Sequence, residues 1–232
     1  MIQHICDLSH IYVPLNRIKK MATKSPTSAV FELFLKLKSG DKNTEEIMNV
    51  LLQNPMSYKV WDHTPMHWAA RYGDVNVMER LLECETGIIP EKNPEDNNGR
   101  TPMHEAALNG HEEIIKLLMN CQSIENKNPA DKDGRTPMHQ AALEGQAKVI
   151  KLFLACETVK DKNPKSHIGS TPLHEAAFCG HMEVVKLLVN CDLINDKNPK
   201  NDKGETPMDL AMETKLNCQG IETFLRTSCT LL

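Results

Sequence analysis

Residues 101–121 read TPMHEAALNGHEEIIKLLMNC, and the same pattern returns from residue 64 to residue 226. Thr101-Pro102 opens a helix: the threonine hydroxyl can accept from free first-turn amides, and proline at the first helical position gives up a donor that has no partner there. Ala106 and Ala107 carry little bulk, so the helix can approach a neighbour closely, and Gly110 supplies the left-handed residue that ends it. His111-Glu112-Glu113 then starts a second helix. Its apolar residues Ile114, Ile115, Leu117 and Leu118 exceed what one short helix can bury alone, so the pattern demands stacking.

Thr-Pro occurs at 64, 101, 136, 171 and 206, a spacing of 37 once and then 35 three times. A fixed period of this size signals a solenoid. The units align as TPMHWAARYG, TPMHEAALNG, TPMHQAALEG, TPLHEAAFCG and a degenerate TPMDLAMETK. With Gly99-x-Thr-Pro-Met-His104-x-Ala-Ala-x-x-Gly110-His111 and the Ile-Ile-x-Leu-Leu run, the chain resembles the ankyrin-repeat family. The resemblance implies an all-α solenoid of stacked helix-turn-helix units with projecting β-turn hairpins. It covers residues 61 to about 210 strongly and both ends weakly.

Four segments are expected: a weakly ordered basic leader (1–27), a degenerate N-terminal capping helix pair (28–60), four full repeats (61–205) and a degenerate C-terminal capping repeat with its tail (206–232). The capping pair rests on Phe31, Phe34, Leu35 and Leu37 at helical spacing, and on Thr44-Glu-Glu-Ile47, which matches His111-Glu-Glu-Ile114. An end unit must cover the core on one side and meet water on the other. At the far end Ile221, Phe224 and Leu225 fill the second-helix role, while Lys215 stands where Gly110 stands. Connectors carry Asn-Pro at 93, 128, 163 and 198, which holds the chain extended before proline. An Asp-x-x-Gly turn follows, as at 96–99 and 131–134, and forms the hairpin tip. The 35-residue period is two longer than the commonest ankyrin period, and the excess fits the connector. Met21 is a second candidate start.

The net charge is −4, from 27 Lys plus Arg against 31 Asp plus Glu, with no block of like charge. That composition argues against a nucleic-acid binder. Residues 1–38 hold six basic and two acidic side chains, leaving 21 and 29 for the repeat array at −8, which suits partners with some positive charge. Of eight cysteines, Cys84, Cys121, Cys156 and Cys191 each follow their Thr-Pro threonine by 20 residues. Stacked helices sit about 10 Å apart, and a disulfide needs Cα atoms within about 7 Å. The row therefore reads as small buried structural thiols in a reducing compartment, cytoplasmic or nuclear. No C-x-x-C supports a metal site, and no run of 18 apolar residues supports stable membrane insertion.

His104-Glu105 and His174-Glu175 invite a zinc-protease reading, but the second histidine one turn on is replaced by Leu108 and Phe178. Phosphate-loop and nucleophile-elbow motifs are missing too, so no enzyme and no cofactor are expected. The resemblance implies that His67, His104, His139 and His174 tie each Thr-Pro turn to its surroundings. Cys229-Thr-Leu-Leu232 fits the prenylation pattern C-a-a-X, against a chance ending or an unfinished chain; with only Arg226 basic nearby, it would give a weak lipid anchor.

The expected function is a non-enzymatic scaffold or adaptor, monomeric, that grips a protein partner on its concave face. The contact positions implied by the family are Trp61, Trp68, Arg71, Tyr72, Asn98, Arg100, Glu105, Asn109, Arg135, Gln140, Glu144, Glu175 and Cys179. Four of the five Tyr and Trp residues lie between Tyr58 and Tyr72. Because Glu105, Gln140 and Glu175 align with Trp68, that column is expected to face solvent, with the aromatics as a hot spot or, alternatively, as packing on the N-terminal cap. Two other readings stand beside this one: a regulatory or recruiting part of a larger enzyme or channel, and an adaptor tethered through Cys229.

Overall fold

The computed structural model describes residues 63–83, 91–213 and 219–229. The expected leader, the N-terminal capping pair, Trp61 and Cys84 lie outside them. In chain order the described helices are α1 Pro65–Tyr72, α2 Val75–Glu83, α3 Pro102–Asn109, α4 Glu112–Asn120, α5 Pro137–Leu143, α6 Ala147–Ala155, α7 Pro172–Phe178, α8 Met182–Val189, α9 Pro207–Glu213 and α10 Gln219–Cys229. Odd-numbered helices stack on one another in one layer, and even-numbered helices form the second. The described residues thus form the all-α solenoid of stacked helix pairs expected from the sequence.

Each first helix starts in the same way. Thr101 is extended at φ −107°, its hydroxyl accepts from the His104 amide, and His104 Nδ1 accepts from the Thr101 amide at 3.0 Å. This is a capping box with histidine in the place usually held by glutamate. Because Nδ1 accepts, the proton sits on Nε2, which donates to the Arg135 carbonyl of the next unit at 3.1 Å. His67, His139 and His174 repeat the bond to Arg100, Ser170 and Glu205. In the last described unit Asp209 closes the box on Thr206 at 2.8 Å, but a carboxylate offers no second donor to send across a junction.

Second helices bond backwards. His111 Nε2 donates to the Arg71 carbonyl at 3.0 Å, Gln146 Nε2 to that of Leu108 at 3.3 Å, and His181 Nε2 to that of Leu143 at 2.9 Å. Glycine ends the preceding helix for two reasons. Gly145 sits at φ 69°, and a Cβ there would fall 2.6 Å from the His181 ring.

Between the layers lies one continuous core. Ala106, Ala107, Ile114, Ile115 and Leu118 are fully buried, as are Ala141, Ala142, Ile150 and Phe153 one unit on. The small alanines let the first helices stack closely, while the large residues of the second helices fill the space beside them.

The thiol row differs from expectation. Cys121, Cys156 and Cys191 are free, as foreseen, but half-buried rather than buried. They stand just past the ends of α4, α6 and α8, where the chain leaves the core. At the first two, Sγ lies 3.1 Å from the hydroxyl of Ser123 or Thr158.

Leu118→Ala should lower the unfolding free energy in urea by about 2–5 kcal/mol. Glu112→Ala, which loses an exposed pair with Lys148 at 3.0 Å, should cost about 1 kcal/mol or less. Gly145→Ala should cost more than Gly204→Ala. Both have positive φ, but a Cβ on Gly204 meets nothing within 4 Å, so equal losses would trace the whole effect to backbone strain.

Candidate protein-binding surface

The hairpin tips are built by side chains that hold their own backbone. Asp96 Oδ1 accepts from the amides of Asn98 and Arg100, both at 2.8 Å, while the Asp96 amide donates to the Arg100 carbonyl. Burial pushes the Asp96 carboxyl up, but these two amides together with the nearby His67 and His63 outweigh it and hold the group below the usual carboxylate range. Asp131 and Asn201 make the same turn. Tips are also joined to one another: the Lys132 amide donates to Asn98 O, His167 to Asp133 O and Asp202 to Ile168 O, at 2.9–3.1 Å.

The column headed by Trp68 does not face solvent. Trp68 is 5% exposed, Glu105 1%, Gln140 7% and Glu175 9%. First helices stack on both flanks of α3, α5 and α7, and the acids are covered by arginines from the tips. Arg100 Nη2 lies 3.2 Å from Glu105 Oε1, and Arg135 Nη2 lies 3.8 Å from Glu175 Oε1, which also accepts from Ser170 Oγ. Trp68 is enclosed by its own chain: Tyr72 stacks on it at 5.9 Å, His63 meets it edge-on at 5.6 Å, and the Arg71 guanidinium lies 6.0 Å from its centroid. The Trp68 ring is therefore not an exposed anchor, contrary to the hot-spot expectation for this residue.

The next column outward does reach solvent. Arg71 and Tyr72 are exposed at the end of α1, Asn109 and Glu144 are exposed, and Cys179 is half-buried. Asn98 is exposed at its tip, with Arg100 and Arg135 half-buried behind the row. The structure therefore brings Trp68, Arg71 and Tyr72 into one group and Arg100 with Glu105 into another, and sets Arg135 beside Glu175. Four exposed apolar residues were missed, Ile168 at 58%, Phe178 at 44%, Leu193 and Met212. Ile168 was findable, because the matching tip positions hold Asn98, Asp133 and Lys203. Among the described residues no group of His, Cys, Asp and Glu is placed to hold a metal. Likewise, none of the described helices is long and apolar enough to cross a membrane.

A family model described as ankyrin repeats in three copies matches residues 33–128, 87–165 and 158–229. The chain belongs to the ankyrin-repeat family. It is 37% identical over 59 residues to the human ankyrin repeat domain-containing protein SOWAHB, a match spanning 25% of this chain and 7% of that protein. It is 41% identical over 58 residues to human transient receptor potential cation channel subfamily A member 1, spanning 24% of this chain and 5% of the channel. To the 26S proteasome non-ATPase regulatory subunit 10 of Dictyostelium discoideum it is 36% identical over 59 residues, 25% of this chain and 24% of that subunit. The chain thus spans no more than a quarter of these relatives. Ankyrin repeats are protein-interaction modules, and the fold is a non-catalytic one.

The bridging histidines make this surface sensitive to acid. Burial holds His104 and His139 neutral, each lowered from an ordinary 6.5 to about 4, and burial lowers His174 as well. A depressed histidine contributes stability that is present above its unfolded pKa and is lost as pH falls through the folded one. Unfolding free energy should therefore drop between pH 6.5 and 4, by at most about 1.4 kcal/mol per pH unit for each histidine. Urea midpoints at pH 7 and pH 5 measure the drop. His104→Gln should be less stable at pH 7 and show a shallower slope; an unchanged slope would remove His104 from the account.

Proposed function

We propose that this protein is a non-enzymatic scaffold or adaptor that binds a protein partner on the surface formed by the hairpin tips and the exposed ends of the first helices. The observation that carries this reading is the Arg71–Tyr72 pair. Both side chains are exposed, yet Arg71 lies over the buried Trp68 ring and Tyr72 stacks against it. Rigid aromatic and arginine groups that lose little freedom on binding are the residues in which interface energy concentrates.

The hot spot shifts accordingly. Arg71 and Tyr72 make the contacts and Trp68 supports them from below, with Asn98, Asn109, Glu144 and Cys179 extending the surface along later units. Glu105 and Glu175 act from beneath it by holding Arg100 and Arg135, and Gln140 lies buried in the same column. The acidic array suits a partner with some positive charge outside the Arg71 site. The protein acts as a monomer in the cytoplasm or nucleus, with its eight cysteines unpaired.

A second reading is favoured by the relatives: similarity to a cation channel subfamily member and to a proteasome regulatory subunit supports a recruiting or regulatory role within a larger assembly. Both readings use the same surface.

Photo-crosslinking tests the surface. A benzophenone amino acid in place of Tyr72 should capture the partner, whereas the same group at Lys116, on the exposed side of α4, should not. Tyr72→Ala and Arg71→Ala should each weaken the captured complex by about 2 kcal/mol, near thirtyfold, with little change in melting temperature. Capture from Lys116 alone would move the binding site to the second helices.

A further inference from the structure

The later first helices contain no lysine or arginine: α5 and α7, each with the residue that follows it, and α9 read PMHQAALE, PLHEAAFC and PMDLAME. Their acidic side chains are Glu144, Glu175, Asp209 and Glu213. Two of these are used inside the protein, Glu175 beside Arg135 and Asp209 in the capping box on Thr206. Glu144 and Glu213 are exposed, and neither forms an ion pair among the described residues. Acids on the second helices differ: Glu113, Glu112 and Glu183 lie 2.7–3.3 Å from Lys116, Lys148 and Lys151.

Phe178 lies between the two unpaired carboxylates. The Thr-Pro register sets it in one row with Leu108, Leu143 and Glu213, and Glu144 in the row beside it. Leu108 and Leu143 are half-buried, whereas Phe178, the largest apolar side chain of its row, is 44% exposed. Because α5 and α9 flank α7, Glu144 and Glu213 stand one unit away on opposite sides, about 10 Å in each direction. An aromatic ring at the centre favours an apolar group that can leave water, and the acids at its edges favour cations and repel anions. The lysines of the adjoining tips do not reverse this sign, since Lys132 and Lys203 each have an aspartate beside them, Asp133 and Asp202. Arg71, at the other end of the stack, has the opposite charge, so the two ends of the surface suit different parts of a ligand.

Given that the first-helix ends form the binding surface, we propose that Phe178, edged by Glu144 and Glu213, is a docking site for a cationic segment of a partner protein. The segment lays one large apolar side chain on the ring and carries lysine or arginine two or three residues to either side. That spacing follows from an extended chain, which covers about 10 Å in three residues.

Fluorescence anisotropy of the full chain with a fluorescein-labelled peptide, Lys-Lys-Ser-Leu-Ser-Lys-Lys, tests the site. Binding should saturate at low salt and weaken as salt rises. Phe178→Ser should weaken it about fivefold, as should Glu144→Lys combined with Glu213→Lys. The two charge reversals lie at exposed positions and keep the test valid if Phe178→Ser lowers the melting temperature. Peptides with glutamate for lysine, or serine for leucine, should bind more weakly than the parent. Tyr72→Ala should leave the peptide's affinity unchanged. Peptide binding at Phe178 with no partner captured from position 72 would sink the earlier hot spot alone. Absence of saturable binding, full affinity in both the Phe178→Ser and the charge-reversed chains, or equal binding of the glutamate peptide would overturn the present proposal alone.

Discussion

A neutral imidazole that accepts at one nitrogen and donates at the other is the constraint on which this solenoid depends. Each Thr-Pro-x-His histidine accepts from its own turn through Nδ1 and donates to a carbonyl 31 or 33 residues on through Nε2. One side chain thereby ends a hairpin, starts a helix and fixes the next unit. Glutamate or aspartate can close the same box, as Asp209 does, but offers no donor for the junction, whereas a neutral imidazole accepts at one nitrogen and donates at the other and so does both jobs without carrying charge. The opposite end of each unit is held by a bond in the reverse direction, from His111, Gln146 or His181. Between these polar bonds the apolar core needs only to fill space.

The connectors solve a second problem. A helix that ends beside the core leaves carbonyls without partners, and here a lysine ammonium covers them. Lys92 does this at Leu81, Lys127 at Leu118 and Lys162 at Phe153. The lysine immediately precedes Asn-Pro, so the extended backbone that proline imposes carries the ammonium back beneath the helix it has left. The cost is three nearly buried cations, Lys92, Lys127 and Lys162.

The fold was legible because the signals that decide it are local and repeated. Thr-Pro fixes the helix start, glycine its end, and the run Ile114-Ile115-x-x-Leu118 its buried face. The proposed binding surface was legible only in part. Polarity at Glu105, Gln140 and Glu175 was read as exposure, which holds for isolated surface residues but fails where an arginine from a neighbouring turn lies across a carboxylate. Arg100 is five residues before Glu105, and nothing in the repeat pattern indicates that it folds back. Aromatic richness near Trp68 was visible in the sequence, but pattern alone could not tell a ring open to solvent from a buried ring that packs against Arg71 and Tyr72. Burial of the connector lysines was hidden for the opposite reason, since lysine ordinarily seeks water and betrays no interior position by its identity.

One consequence follows from the bonds between successive tips, Lys132 to Asn98, His167 to Asp133 and Asp202 to Ile168. They convert separate loops into a continuous ribbon of paired backbone. Residues on it share one rigid frame, so a ligand that touches several tips encounters a single pre-ordered template and loses little affinity to loop ordering. The same linkage restricts how such a surface can change over evolutionary time. Side chains can be exchanged freely at each tip, but adding a residue to one would shift its register against both neighbours, so diversity here should arise by substitution rather than by loop length.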